Sequence, residues 1–311
     1  MMVEKGPWHE RRARPGPHVN MNVLFVVTRN EAELLRLNLA HHLAWGFDHA
    51  AIANNESTDA TREVLHAFGD AVTAETIADP NDRFAALRRL MHRIEARHGQ
   101  AQWVAVSDTD EFWWYPGGTL RELVLRVPAS APGLNSDQKL FLPTALDPSE
   151  GPVCVRRTWR TTVSSSPLHT SYRKGKSIYR ASRVREHELT SPHWCPAVGS
   201  LAWRPPHPLV HHYMIDDEES FVRKVVALPR WSPQVRGSAP DAAGEKDGTG
   251  SQVRFRDFKT AWWRLYESGG ERALRDYFRT SFMISAAALA GHVERRELVQ
   301  DTAFADWMRT R

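Results

Sequence analysis

Within "VSDTDEFWW" (106–114), three carboxylates fall in four positions, Asp108, Asp110 and Glu111, and three large aromatics follow, Phe112, Trp113 and Trp114. Carboxylates this close repel one another, and an apolar interior does not take unpaired acids. A solvated turn, for its part, has no need of the tryptophans. The composition calls for a cation. Carboxylate oxygens are hard ligands that suit magnesium or manganese better than zinc, and such ions keep open positions that substrate phosphates fill. A metal held by Asp108 and Asp110 and bridged to a diphosphate would stabilise a departing phosphate. Taken alone, the Asp-x-Asp spacing is explained equally well by an Asp108 that caps a turn and an Asp110 in solvent.

Other motifs of phosphate binding and of hydrolase chemistry are missing from the sequence. There is no GxxxxGK[ST] loop, no GxGxxG after the first apolar run and no GxSxG elbow. A phosphate-bearing ligand would be held by metal and basic side chains instead.

The elements that must position these residues follow a regular order. "NVLFVV" (22–27), "HAAIANN" (49–55), "AVTAETI" (71–77) and "QWVAVSD" (102–108) are short apolar runs that read as strands. Between them lie helical patterns. The first has Leu35, Leu39 and Leu43 on one face and stops at Gly46. The second opens at Ser57 or Thr58 and turns Val64, Leu65 and Phe68 inward. The third carries Phe84, Leu87, Met91 and Ile94 and ends at Gly99. Such alternation predicts an α/β fold with a mostly parallel sheet flanked by helices. Ligands of open α/β sheets bind outside the carboxyl ends of the strands. That places "TRNE" (28–31), "NNESTD" (54–59), "DPNDR" (79–83) and "DTDEF" (108–112) together on one edge.

Further along the pattern weakens. Residues 130–180 are rich in Pro, Ser and Thr, and "TSYRKGKSIYR" (170–180) is strongly basic. Five histidines follow, His187, His193, His207, His211 and His212. We expect a disordered leader over 1–20, one sheet domain over 21–235, a flexible polar linker over 236–252 and a helical C-terminal extension over 253–311. The chain has 311 residues, 41 basic against 37 acidic, a net charge of +4 and 41% hydrophobic content. It can bury a full core, and its basic excess is too small to argue for nucleic acid but suits an anionic small substrate. The two cysteines, Cys154 and Cys195, have no CxxC spacing and point to a reducing, cytoplasmic setting. No apolar run reaches the length of a membrane span, and the first residues lack the apolar centre of a secretory signal.

"VVTRNEAELLRLNLAHHLAWGFDHAAIANNESTDATREVL", together with "WVAVSDTDEFWW", resembles the GT-A fold glycosyltransferases, in particular their family 2-like and family 92-like branch. "KSIYR" (176–180) and "HHYMIDDEESFVRKV" (211–225) extend the resemblance over about residues 22–225. The chain departs from that pattern at Asn54 and Glu56.

The resemblance implies a metal-dependent transfer of a sugar from a nucleotide-sugar donor, a UDP-sugar foremost, to a carbohydrate or glycoconjugate acceptor, with inversion. It implies that Thr28, Arg29 and Glu31 line the base and ribose pocket, with Asn55 and Asp59 nearby, and that Arg83 meets the diphosphate. Asp108 and Asp110 would hold manganese or magnesium. Lys176 and Arg180 would approach the phosphates or the acceptor, and His193 or His212 would complete the metal site. Trp113 is expected either in the core or stacked on the sugar. A general base is needed for the acceptor hydroxyl, and Glu111, Asp216, Asp217 and Glu219 are open to that role, Glu111 and Asp217 foremost. Peripheral contact with a membrane is compatible with such an acceptor. The alternative is a binding protein without catalysis on the same fold.

Overall fold

The computed structural model describes residues 21–162, 175–189, 208–231 and 255–310, and in addition the single positions 195, 198 and 236. The expected leader, most of the expected linker and His193 lie outside the described residues. The described chain divides into two units, one formed by 21–138 and 175–211, the other by 139–162 and 212–310.

The first unit opens with the expected alternation. β1 (Met21–Thr28), α1 (Ala32–Trp45), β2 (His49–Asn54), α2 (Thr61–Phe68), β3 (Val72–Thr76), α3 (Arg83–His98) and β4 (Ala101–Asp108) follow in turn. β5 (Glu111–Trp114), α4 (Leu120–Val124) and β6 (Gly133–Asn135) come next, then β7 (Asp137–Leu140), within which the chain passes to the second unit. It returns for β9 (Ser177–Arg180) and α6 (Ala181–Glu186), and leaves again within β10 (Leu209–His212).

The sheet has the order β3-β2-β1-β4-β9-β6. β1 pairs in parallel with β2 and β4, and β2 with β3, while β9 runs antiparallel to β4 and β6. The fold is therefore mixed α/β with a largely parallel central sheet flanked by helices. Near-continuous apolar runs are what strands covered on both faces require. Val23, Leu24, Phe25 and Val26 are 0% exposed, as are Ala50 to Ala53 and Val104. The stripe of α3 is as expected, with Phe84, Leu87, Met91 and Ile94 all buried. That of α1 is not. Its buried face is Leu35, Asn38, Leu39, His41, His42 and Trp45, whereas Leu43 is only half-buried.

The second unit holds α5 (Val153–Arg156), β8 (Trp159–Thr161), α7 (Glu218–Trp231), α8 (Phe255–Tyr277, broken at Gly270), α9 (Ala286–Glu294), β11 (Leu298–Gln300) and α10 (Ala303–Arg309). Its core centres on Phe221, 0% exposed, with Trp262 at 5.0 Å and Phe282 at 5.3 Å between ring centroids. β8 and β11 pair antiparallel, Thr161 opposite Leu298. The C-terminal region is thus mostly helical but is no separate extension. It shares one unit with residues 139–162 and 212–231, in place of the expected boundary at 235–253.

Candidate functional site

Parallel pairing brings the carboxyl ends of β1 to β4 into line. Thr28 lies opposite Asn54, Asn54 opposite Thr76, and Val27 opposite Asp108. Three interstrand steps separate Thr76 from Asp108, about 14 Å at the usual strand spacing. The four expected loops do leave the sheet on this one edge.

Three of them are tied together by hydrogen bonds. Asn55 is fully buried and donates through Nδ2 to the carbonyls of Ile77 (3.0 Å) and Ala78 (3.1 Å). It accepts from Arg29 Nη1 on its own carbonyl (2.7 Å) and on Oδ1 (3.2 Å). Asn30, at φ 52°, donates its N–H to Ser57 Oγ and accepts from the Thr58 N–H at 2.7 Å. Asp59 Oδ2 accepts from the Ala32 N–H (3.0 Å) at the start of α1, and its Oδ1 accepts from Thr61 Oγ1 (2.6 Å) at the start of α2. A carboxylate there is favoured by the open N–H groups and dipoles of both helix starts. Thr28 is buried on the same edge, and its Oγ1 has no hydrogen-bond partner among the described residues.

The acid turn follows β4. Asp108 ends the strand, Thr109 and Asp110 form the turn, and Glu111 begins β5. Lys176 lies just before β9 and reaches both flanking acids, with Nζ 2.8 Å from Asp108 Oδ2 and 3.0 Å from Glu111 Oε2. Glu111 is buried and saturated. Its Oε2 also accepts from the Asp108 N–H (2.9 Å), and its Oε1 accepts from Gln138 Nε2 (2.8 Å). Asp108 differs in that 46% of its side chain is exposed. Partial burial and the like charge of Asp110 oppose its ionisation, but the Lys176 ammonium, helped by Arg83, holds its carboxyl below the usual range. The open face of Asp108 makes the ion pair, rather than burial, the deciding influence. Burial disfavours the Lys176 charge, yet Asp108 and Glu111 outweigh it and push the ammonium pKa up.

A second set of contacts grips the turn from behind. Asn38 Nδ2, on α1, donates to the carbonyls of Thr109 (2.9 Å) and Glu111 (2.8 Å). His42 Nε2 accepts from the Trp113 N–H (3.0 Å), while its Nδ1 faces the Asn38 carbonyl (2.8 Å) and Oδ1 (3.0 Å). His41 Nε2 meets the Trp113 carbonyl at 2.6 Å. Burial lowers the pKa of both rings, that of His41 to about 4 despite its backbone hydrogen bond. Both are neutral at pH 7. Because His42 Nε2 accepts, its proton sits on Nδ1, where it donates to Asn38.

The expectations for Glu111, Trp113 and Arg180 need correction. Glu111 is buried with its carboxylate engaged by Lys176, the Asp108 N–H and Gln138, so it is not open to an acceptor. Trp113 is 0% exposed and belongs to the core beneath the turn, so it offers no open face to a sugar. Arg180 pairs opposite Trp103, five residues and about 16 Å before Asp108 on β4. There it stacks on the Trp103 ring at 4.4 Å and donates to the carbonyls of Ala131 (2.8 Å) and Pro128 (2.9 Å). Asp217 belongs to the second unit, where its Oδ1 accepts the Ser220 N–H (2.7 Å) at the start of α7. His212 is also in the second unit, buried, with its carbonyl taken by the Phe141 N–H. Lys176 and Arg83 do lie within electrostatic reach of Asp108, and Thr28, Arg29, Glu31, Asn55 and Asp59 do share the loop edge. The residues that sequence reading left aside are Asn38, His42 and Gln138. The signal for the first two was their four-residue spacing, which puts them on one helix face.

The carboxylate oxygens of Asp108 and Asp110 are the donor type that a hard divalent cation takes. Asp108 and Glu111 share the Lys176 ammonium, and the like charge of Asp110 lies close to Asp108, which is partly exposed. Among the described residues no three His, Cys, Asp or Glu side chains form a metal cage by themselves. An ion at Asp108 and Asp110 would therefore take its remaining ligands from water or a bound diphosphate, as magnesium-type ions commonly do.

No protein-family model matches the chain, and no curated protein matches it. Among solved structures it is similar to S. aureus TarS, with 12% identity and a TM-score of 0.38 over 84% of this chain and 45% of that one. It is also similar to S. aureus TarS 1-349 in complex with UDP-GlcNAc, with 11% identity and a TM-score of 0.36 over 84% and 76% of the two chains. For a 4-diphosphocytidyl-2C-methyl-D-erythritol synthase the values are 14%, 0.35, 62% and 87%. The chain spans less than half the length of the first of these. At TM-scores below 0.5 none of these likenesses bears on what the chain does. No helix among the described residues is long and apolar enough to cross a membrane.

Proposed function

We propose that this chain is a metal-dependent glycosyltransferase that takes a sugar from a nucleotide donor, a UDP-sugar foremost, and passes it with inversion to a hydroxyl of a carbohydrate or glycoconjugate. The observation that carries this reading is the acid turn. It sits at the carboxyl edge of the parallel strands, gathers Asp108, Asp110 and Glu111 within four positions, and leaves Asp108 partly open to solvent. The motif resemblance over residues 22–225 points the same way.

In this reading Thr28, Arg29, Glu31 and Asn55 flank the base and ribose. The unpaired Thr28 hydroxyl costs about 1–3 kcal/mol when buried alone, which a ligand's polar group would remove. Arg83 supplies positive charge toward the diphosphate. Asp108 and Asp110 would hold manganese or magnesium, which would supply charge neutralisation for a bound diphosphate. Lys176 keeps Asp108 ionised and Glu111 neutralised within the protein.

Thermal-shift screening with UDP, GDP and their sugars tests the reading. One nucleoside diphosphate should raise the unfolding temperature with manganese and lose that effect with a chelator. A ligand at about 100 times its Kd contributes about 2.7 kcal/mol, which is easily seen. No response to any nucleotide would contradict it.

A further inference from the structure

We propose that Asn38 and His42 are positioning residues that set the acid turn for its ligand, acting through the backbone of Thr109–Trp113. The inference rests on the reading of that turn as the metal–diphosphate site. α1 is amphipathic with an anomaly, because two of the polar residues on its buried face have no solvent to satisfy them. Asn38 and His42 are both 0% exposed. Their polar atoms are all spent on the turn or on each other.

The set has one consistent hydrogen pattern. The Trp113 N–H is a donor, so His42 Nε2 must accept and Nδ1 must carry the proton. Nδ1–H then donates to Asn38 Oδ1, which fixes the amide with its NH2 toward the carbonyls of Thr109 and Glu111. Those two carbonyls bracket Asp110. The N–H that His42 receives lies two residues beyond Glu111, which itself accepts the Asp108 N–H. A neutral relay thus runs from Trp113 through His42 and Asn38 to both sides of Asp110. In a turn carrying three carboxylates, a neutral anchor holds the backbone without drawing off the charge meant for the ligand. His41 adds a contact to the Trp113 carbonyl but does not touch the carbonyls that flank Asp110.

Two neutral substitutions separate the parts of this relay. In His42→Gln the side-chain amide reaches the position of Nε2 and can still accept from Trp113. In His42→Asn the amide reaches only the position of Nδ1, so the contact to Trp113 is lost. Leu39→Ala, on the same helix and away from the relay, is the control for loss of packing alone. Two measurements apply, amide hydrogen exchange of the ligand-free protein and calorimetric titration with UDP in the presence of manganese.

His42→Asn should speed exchange over residues 108–113 while β1 and β2 stay protected, and should weaken manganese-dependent UDP binding about tenfold, the size of one lost hydrogen bond. His42→Gln, which keeps the Trp113 contact but gives up the donor to Asn38 Oδ1, should fall between the wild type and His42→Asn in both. Leu39→Ala should lower the unfolding temperature and leave the affinity unchanged. Unchanged exchange over 108–113 in His42→Asn would overturn the proposal, as would a loss of affinity in Leu39→Ala equal to that in His42→Asn. A wild type that binds UDP with manganese, beside a His42→Asn variant that binds as tightly, would overturn the positioning role alone. A wild type that does not bind would overturn the functional reading and this role with it.

Discussion

Lys176 Nζ lies 3.0 Å from Glu111 Oε2, and both side chains are almost wholly buried, at 3% and 1% exposure. A buried charge is tolerable only with its partner in place. Removing one partner leaves the other uncompensated. Lys176→Met should therefore lower stability by about 3–5 kcal/mol, the usual cost of breaking such a pair. The double variant Lys176→Met with Glu111→Gln should recover much of the loss. Urea unfolding of the four proteins measures this, and equal stabilities in single and double variants would show that Glu111 is not paired with Lys176.

The approach that sets Lys176 in place depends on Gly175. A Cβ at that position would collide with the carbonyl oxygen of Ser136. Ser136 in turn donates through its N–H and Oγ to the Lys176 carbonyl, both at 2.9 Å. Gly175→Ala should separate these segments, cost about 1–3 kcal/mol as overpacking does, and weaken nucleotide binding together with stability. Unfolding and binding measured on the same sample check it.

Stability should fall as pH drops from about 6.5 toward 4. The His49 ring is buried, and that burial, with the nearby His98 and Arg97 charges, lowers its pKa to about 4 against the opposing effect of Asp70. His41 is lowered to about 4 by burial against its hydrogen bond to Trp113. In the unfolded chain both titrate near 6.5, so between these values the unfolded state binds more protons and stability rises with pH. The contribution is complete above about 6.5. For His49 alone it reaches about 3 kcal/mol at most. His49→Gln can keep a hydrogen bond to Thr73 and should flatten part of the slope in denaturant unfolding across pH 4–7. An unchanged slope would assign the effect to other groups.

Arg180 should matter for the fold and not for the ligand. Its guanidinium is divided between the carbonyls of Ala131, Pro128 and Val127 and the Trp103 ring. Lysine cannot reproduce that geometry. Arg180→Lys should cost about 1–2 kcal/mol of stability, in line with lost hydrogen bonds and a stacked cation, with nucleotide affinity unchanged. A selective loss of affinity would return Arg180 to the site.

The α/β alternation and the position of Asp108 at a strand end were legible because they follow from local patterns. Apolar runs, helical stripes and glycine stops act within a few residues. The convergence of Arg29, Asn55 and Asp108 followed from parallel pairing alone. Asn38 and His42 showed no role because the partners that give them one lie 71 to 73 positions away. Arg180 misled because it shares "KSIYR" with Lys176. The antiparallel course of β9 carries it away from the edge that Lys176 occupies. The pairing of β8 with β11 joins residues more than 130 positions apart, and no periodicity announces it.

The central claim is that Asp108 and Asp110 face a metal-bound diphosphate. Calorimetric titration with UDP, in manganese and in a chelator, for the wild type and for Asp110→Asn tests it most directly. The substitution removes one charge and keeps the shape, so the fold should remain. The account predicts binding by the wild type in manganese, at least about tenfold weaker binding in the chelator, and the same weakening in Asp110→Asn whether or not manganese is present. Equal affinity in manganese and chelator for the wild type would contradict it, as would full manganese-dependent binding by Asp110→Asn.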